Sequence, residues 1–294
     1  MSTPPPTAAD GLSQDDIARI LHKPPIWRRP DVMRSFLVAI VSTAIVFVVV
    51  RWFLVRSEGW ASVQEAFFSR KDFQAAFPKV WEGFKLNIRI FMIAEPIVLT
   101  FGLLLAIMRG TRNPVLFPVR ALAIAYIDLF RGAPALLVIL TLGFGVPGLR
   151  IQALPGSPVF WGTVACILTS TAYTAETFRA GIESIHPSQR AASRSLGLSG
   201  FRTFIHVVLP QGVRRVIPPL LSGFVGLQKE TSLVSVIGPL DATRQAQIYA
   251  NLKFNYSSYL AAALLFILVT VPLARLTDYL VARTARDRQV GGRV

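Results

Sequence analysis

Cysteine occurs once in these 294 residues, at Cys166, so no intrachain disulfide can form. The apolar run around it marks a plain buried thiol. Histidine occurs three times, at His22, His186 and His206, with no spacing that would hold a metal ion. No G-x-x-x-x-G-K-[ST] loop is present, which excludes ATP hydrolysis on a Walker-type phosphate cradle of this chain itself. No nucleophile–base set is recognisable either, so no catalytic residues, metal or cofactor are expected. The extreme N-terminus is not basic and the first apolar run begins only near Phe36, so no cleavable signal peptide is evident. Acidic residues are few, with 16 Asp and Glu against 31 Lys and Arg and a net charge of +15.

What the chain has instead is apolar length. Hydrophobic residues make up 52% of it and the mean hydropathy is +0.50, too apolar for a soluble domain and suited to a polytopic membrane protein. In a soluble protein the basic excess would suggest nucleic acid. Here the clustering of Lys and Arg at the ends of apolar runs fits the positive-inside rule, and no nucleic-acid partner is expected. Pro4-Pro5-Pro6 and Pro24-Pro25 flank a short helical pattern at 13–22, giving a cytoplasmic Pro-rich arm over 1–35. Residues 36–55 read as a first transmembrane helix and 56–80 as an external amphipathic segment. Residues 81–282 read as a five-helix core, and 283–294 as a basic cytoplasmic tail. Spans are expected near 84–108, 115–146, 160–178, 217–237 and 259–280. Parity makes 115–146 one kinked crossing, so six crossings leave both termini cytoplasmic. The fold class is all-α, a polytopic helical bundle.

Between the fourth and fifth spans, residues 180–210 turn polar. Pro187 suits the first turn of a short helix and Gly197 the residue just past its end. Ser199 suits the N-cap of a second helix whose Phe201, Phe204, Ile205 and Val208 share a face, with Pro210 as its stop. The outcome is a helix–Gly turn–helix elbow, either a docking handle or an ordinary basic loop.

Ionisable groups at hydrocarbon depth are costly and usually face protein or water. Asp128 and Arg131, at i and i+3, can pair and fix a kink with Gly132 and Pro134. Tyr173 and Glu176 share a face, and Glu176 can instead bridge Arg179. Arg89 and Glu95 sit on an earlier span. Lys229 and Glu230 interrupt the fifth crossing and, being adjacent, cannot satisfy one another. Gly132, Gly223 and Gly226 would allow close helix approach.

The run Ser184-Ile185, Gln189, Ala192, Arg194-Ser195-Leu196-Gly197 and Val207-Val208-Leu209-Pro210-Gln211 resembles the EAA-type coupling loop of ABC importer membrane subunits. Tyr126 to Pro134 (YIDLFRGAP), Ala172 to Arg179 (AYTAETFR) and Leu227 to Gly238 (LQKETSLVSVIG) extend the similarity over roughly residues 77–279, most closely to permeases for polar amino acids. The chain departs from the motif at Ala191, where its glutamate is expected, and at Ser193.

The resemblance implies a type I ABC importer (MetI-like) transmembrane fold in a bacterial inner membrane, paired with a second permease subunit. It implies cytoplasmic ABC ATPase subunits gripping the elbow at Gln189, Arg190, Ala191, Ala192, Ser193, Arg194, Ser195, Gly197, Leu209 and Pro210. It also implies an extracytoplasmic solute-binding protein, and an amino acid substrate imported by alternating access. Tyr173, Glu176, Lys229, Glu230 and Thr231 are the residues expected to give a zwitterion its counter-charges and hydrogen bonds. The alternative from another class is an ATP-independent amino acid channel or secondary carrier.

Overall fold

The computed structural model describes residues 30–111 and 113–291. The arm helix expected at 13–22 and Arg112 lie outside them. Among the described residues there is no strand. The helices are α1 (Pro30–Arg56), α2 (Trp60–Phe67), α3 (Arg70–Gly110), α4 (Phe117–Gly132), α5 (Ala135–Gly148), α6 (Pro158–Glu183), α7 (Pro187–Ser195), α8 (Gly200–Thr203), α9 (Leu209–Glu230), α10 (Ala242–Lys253) and α11 (Ser257–Gly291). A π-turn, Phe204–Val208, joins α8 to α9, and a 3-10 segment, Thr231–Ile237, continues α9.

The chain divides into two units, one ending at Val63 and one beginning at Gln64. The first contains α1, whose Phe36, Val46 and Phe47 expose apolar surface on all sides, as a helix that meets lipid does.

In the second unit α3 sets the frame. Its N-cap is Ser69, whose Oγ accepts from Asp72 N at 3.3 Å. The helix thus begins within the stretch expected to lie on the outer surface. Ala76 and Val80, with Phe73 and Phe77, pack among Ala242, Ala246, Ala261 and Ala262 of α10 and α11. Small side chains bring these backbones close, which is how helices associate where lipid removes the hydrophobic driving force. Phe91 of α3 meets Phe224 of α9 edge to face at 4.6 Å.

By length and apolarity Met33–Phe53, Trp60–Gly110 and Ser257–Ala282 qualify as single spans. The α4–α5 pair qualifies together, bent by 103°. Ala133 N closes α4 on Leu129 O, Pro134 has no N–H to continue the ladder, and α5 restarts with Leu137 and Val138 bonding to Pro134 O. The kink expected at Gly132 and Pro134 is therefore a sharp break. Helices α6 and α9, where further spans are expected, fall short of that apolarity, but with 26 and 22 residues, about 39 and 33 Å at 1.5 Å per residue, both have crossing length.

The far end of α3 is joined to α10 by a buried polar clasp. At Gly83 an added Cβ would lie 2.5 Å from the Asp241 carbonyl, so the chain after the 3-10 segment runs directly against α3. One turn on, Asn87 Nδ2 donates to Asp241 Oδ2 at 3.0 Å and Asn87 Oδ1 accepts from Ala242 N at 3.0 Å. Asp241 Oδ1 caps α10 by accepting from Arg244 N at 2.8 Å. Burial pushes the Asp241 carboxyl up to about 6 from an ordinary 3.8, against the opposing pull of the Asn87 and backbone hydrogen bonds. A raised folded-state value means that this group favours the fold most below pH 3.8, and that the contribution is lost as pH rises through about 6.

Asn87→Ala orphans Ala242 N–H and one carboxylate oxygen, so it should destabilise by about 1–3 kcal/mol per orphaned group. Asn87→Asp faces a second carboxylate across the clasp. Its apparent Tm in detergent should fall further at alkaline pH and recover part of the loss as pH is lowered through about 6.

Candidate functional site

Three features meet around α6 and α9: an exposed elbow, an ion cluster and a cavity.

The elbow is held rigidly on the helices that flank it. His186 Nδ1 accepts from Ser188 N at 3.2 Å, with Pro187 at the first helical position. Gly197 closes α7 in the left-handed region at φ +83°, where a Cβ would be strained. Ser199 caps α8 by accepting from Arg202 N at 3.3 Å. Buried Ser193 donates to Arg190 O at 3.0 Å and lies 3.2 Å from Thr203 Oγ1 across the turn. Arg190 Nη2 donates to Ile182 O at 3.2 Å, and Arg215 Nη1 donates to Ser184 O at 2.6 Å. Beneath the elbow α6 and α9 nearly touch, because a Cβ on Gly181 would sit 2.7 Å from Gly212 O.

Three local expectations differ from the structure. Pro210 does not stop the second helix. The chain slips into a π-turn, with Leu209 N bonding to Phe204 O, and Pro210 falls in the first turn of α9, where its missing N–H costs nothing. Phe201 does not share the buried face of Val208 but is 75% exposed, and Leu196 is 84% exposed. Ala191 and Ala192 are also exposed, so the elbow carries several uncovered apolar side chains. Gly132, Gly223 and Gly226 have no neighbour within 4 Å of an added Cβ, so close approach falls to Gly83, Gly181 and Gly212 instead.

The ion cluster gathers around Glu176 of α6. Its Oε2 lies 3.3 Å from Arg109 Nη1 of α3 and 4.0 Å from Arg131 Nη1 of α4. Its Oε1 accepts from Arg179, which also pairs with Glu183. Asp128 pairs with Arg109 at 3.6 Å. The expected Asp128–Arg131 pair is replaced by contacts to other helices, since α3 brings Arg109 between Asp128 and Glu176. Arg109 Nη1 and Glu176 Oε2 make no aligned hydrogen bond, so their attraction is a charge contact.

A cavity of ≈220 Å³ opens between α3, α6 and α9. Glu95, Ser170, Tyr173, Thr174, Phe224 and Glu230 are among its lining residues. Glu95 is only 7% exposed. Ser170 Oγ reaches Glu230 Oε2 at 3.5 Å, and Tyr173 donates its hydroxyl to Arg131 O at 3.3 Å.

Comparison with known proteins gives this arrangement its context. The description "Binding-protein-dependent transport system inner membrane component" matches residues 98–286. The "Probable glutamine ABC transporter permease protein GlnM" of Bacillus subtilis is 33% identical over 214 residues, covering 72% of this chain and 95% of its own. The chain belongs to this permease family. The "Probable amino-acid permease protein YxeN" of the same bacterium is 31% identical, covering 69% of this chain and 90% of its own. The solved structure "Crystal structure of an amino acid ABC transporter with histidines" aligns with TM-score 0.63 at 30% identity, over 70% of this chain and 94% of that one. An inward-facing structure of the MetNI methionine ABC transporter aligns with TM-score 0.59 over 70% and 96% at 13% identity, a likeness of fold alone. The permease therefore has the type I ABC importer fold and is a multi-pass inner-membrane transport component.

Of the five residues expected along the permease's pathway, the structure brings Tyr173 and Glu230 to one cavity. Glu176 is committed to the ion cluster. Thr231 is fully buried and its Oγ1 donates to Gln228 O at 2.8 Å, while Lys229 is exposed and lines no part of the cavity. Glu95 is the lining residue that pattern reading leaves without a role, although an acid at hydrocarbon depth is itself the signal. Arg89, expected with Glu95, is exposed and lines a different groove, with Trp81 and Leu265.

Glu176→Gln should destabilise the permease by about 1–3 kcal/mol, because three arginines lose their shared anion. Asp128→Asn, at a side chain 61% exposed, should cost no more than about 0.5 kcal/mol. Apparent unfolding temperatures in detergent at low salt check the order.

Proposed function

We propose that this chain is the membrane-spanning subunit of an ATP-driven importer for a polar amino acid. The observation that carries the cargo class is the similarity at 33% identity along nearly the full length of a permease named for glutamine transport. A solved amino acid transporter at 30% identity supports it. The cavity supports it too, being mostly apolar with a few polar groups (Glu95, Ser170, Tyr173, Thr174 and Glu230), flanked by three helices and of a size for one small solute.

ATP hydrolysis takes place on separate cytoplasmic ABC subunits. The elbow tip, with Leu196 and Phe201 exposed on a cross-bonded frame, seats in those subunits. Ala191, where the motif's glutamate is expected, leaves the contact to apolar burial and to Arg190 and Arg194 on the rim. A second permease subunit completes the pathway, and an extracytoplasmic solute-binding protein delivers the cargo. The elbow and both chain ends face the cytoplasm, 36–55 is a helix added to the five-helix core at 81–282, and alternating access moves the solute past Tyr173 and Glu230.

Phe201→Asp or Leu196→Asp places a charge on the docking tip without touching the bundle. Each should reduce co-purification of the ATPase subunit and abolish uptake of labelled amino acid, while the variant still elutes as a folded membrane protein. Retained ATPase binding and coupled uptake would remove the docking role. A cysteine at Ser188 or Ser199 that labels only from the outside would reverse the orientation.

A further inference from the structure

Glu95 and Glu230 face one cavity, and among its described lining residues there is no Lys or Arg. Glu95 is 7% exposed and makes no hydrogen bond or ion pair among the described residues. The acid on α9 is exposed and, among the described residues, is met only by Ser170 Oγ at 3.5 Å. An acid on α3 that is nine-tenths buried has lost most of its water, and nothing within the chain replaces it. With Glu95 buried and Glu230 exposed on its open side, the ≈220 Å³ cavity carries two acids among mostly apolar walls.

The chemistry that completes this compartment is cationic. A zwitterion brings one ammonium and one carboxylate, so its own carboxylate would be repelled as strongly as its ammonium is attracted. An amino acid with a basic side chain brings two cationic groups, one for each acid. Arg131 lies behind Tyr173, its Cζ 6.0 Å from the ring centroid, and is paired with Glu176, so the charged groups that the cavity itself offers a solute are the two acids. A dicarboxylic amino acid meets repulsion instead.

We propose that the Glu95–Glu230 cavity selects amino acids with a cationic side chain, and that Glu95 is a specificity-determining residue. This inference rests on the reading of the cavity as the amino acid path. Phe224, which lies edge to face on Phe91 at 4.6 Å, closes the apolar wall along which the side-chain stem would lie.

The test is equilibrium binding of labelled L-arginine, L-lysine, L-glutamine and L-glutamate to the detergent-solubilised permease–ATPase complex, with no binding protein present. The selectivity read is then the permease's own. Arginine and lysine should bind about ten-fold or more tightly than glutamine, the effect of one charge-assisted hydrogen bond, and glutamate should bind least. Glu95→Gln, close to isosteric, should narrow the arginine-over-glutamine preference about ten-fold, and Glu95→Asp should restore most of it. Glu230→Gln should act in the same direction. Equal affinity for glutamine and arginine, absence of arginine binding, or an unchanged preference in folded Glu95→Gln overturns the cationic assignment. Uptake by the intact transporter with its binding protein separates the two readings. If glutamine is imported and arginine is not, only cation selectivity falls. If no amino acid is imported, the amino acid path falls with it.

Discussion

A single carboxylate organises the elbow end of the bundle. Glu176 on α6 faces Arg109 of α3, Arg131 of α4 and Arg179 of its own helix. Three helices that approach one another with partly buried guanidinium groups between them cannot leave those groups unanswered, and one acid shared among several bases ties all three together. Asp128 adds a second anion on the more exposed side. Because the arginines are bound up with Glu176, the cavity between Glu95 and Glu230 is left without a lining cation of its own.

Backbone proximity does the rest. Gly83 admits the Asp241 carbonyl and Gly181 admits Gly212, so α3 is locked to α10 at one end and α6 to α9 at the other. At both joints the closeness comes with polar locking beside it: the Asn87–Asp241 clasp at the first and Arg215 on Ser184 O at the second. Packing without a hydrophobic driving force depends on such pairings of small residues with specific hydrogen bonds.

Local chemistry was legible in the sequence wherever a residue acts through its own backbone. Pro187 at a helix start, Gly197 past a helix end and Ser199 at an N-cap need no knowledge of what lies across the membrane. The RGAP break is of the same kind, although its 103° bend exceeds what a proline implies by itself. What could not be read were the partners. Asp128 and Arg131 have the spacing to pair, but Arg109, nineteen positions upstream of Asp128 in the sequence, lies between the anions once α3 is in place. Pro210 misled for a similar reason: its meaning depends on helix register, and the π-turn before it shifts that register by one residue. Thr231 stands in an apolar crossing like a pathway hydroxyl, yet its proton goes to the carbonyl of the preceding turn. Glu95 is the converse, conspicuous by position and without an assignable companion until α9 brings Glu230 to the same cavity.

The elbow and the cavity are ends of one mechanical element. From the π-turn at Phe204–Val208, α9 runs unbroken to Glu230, about 33 Å at 1.5 Å per residue, despite Pro218 and Pro219 within it. A π-turn has a looser hydrogen-bond ladder than the helix that follows it, so a displacement of the elbow would be absorbed first as a change of register there. What passes on is then a rotation or slide of α9 as a rod. Its far end carries the acid that shares a cavity with Glu95 of α3. The Asn87–Asp241 clasp ties α3 to the chain that continues α9 through the 3-10 segment, and the Gly181–Gly212 contact ties α6 to the start of α9. On the importer reading proposed above, a force applied at Leu196 and Phe201 would therefore reach Glu230 through α9 and the ion cluster through α6, so that the elbow addresses both polar features of the bundle through backbone joints.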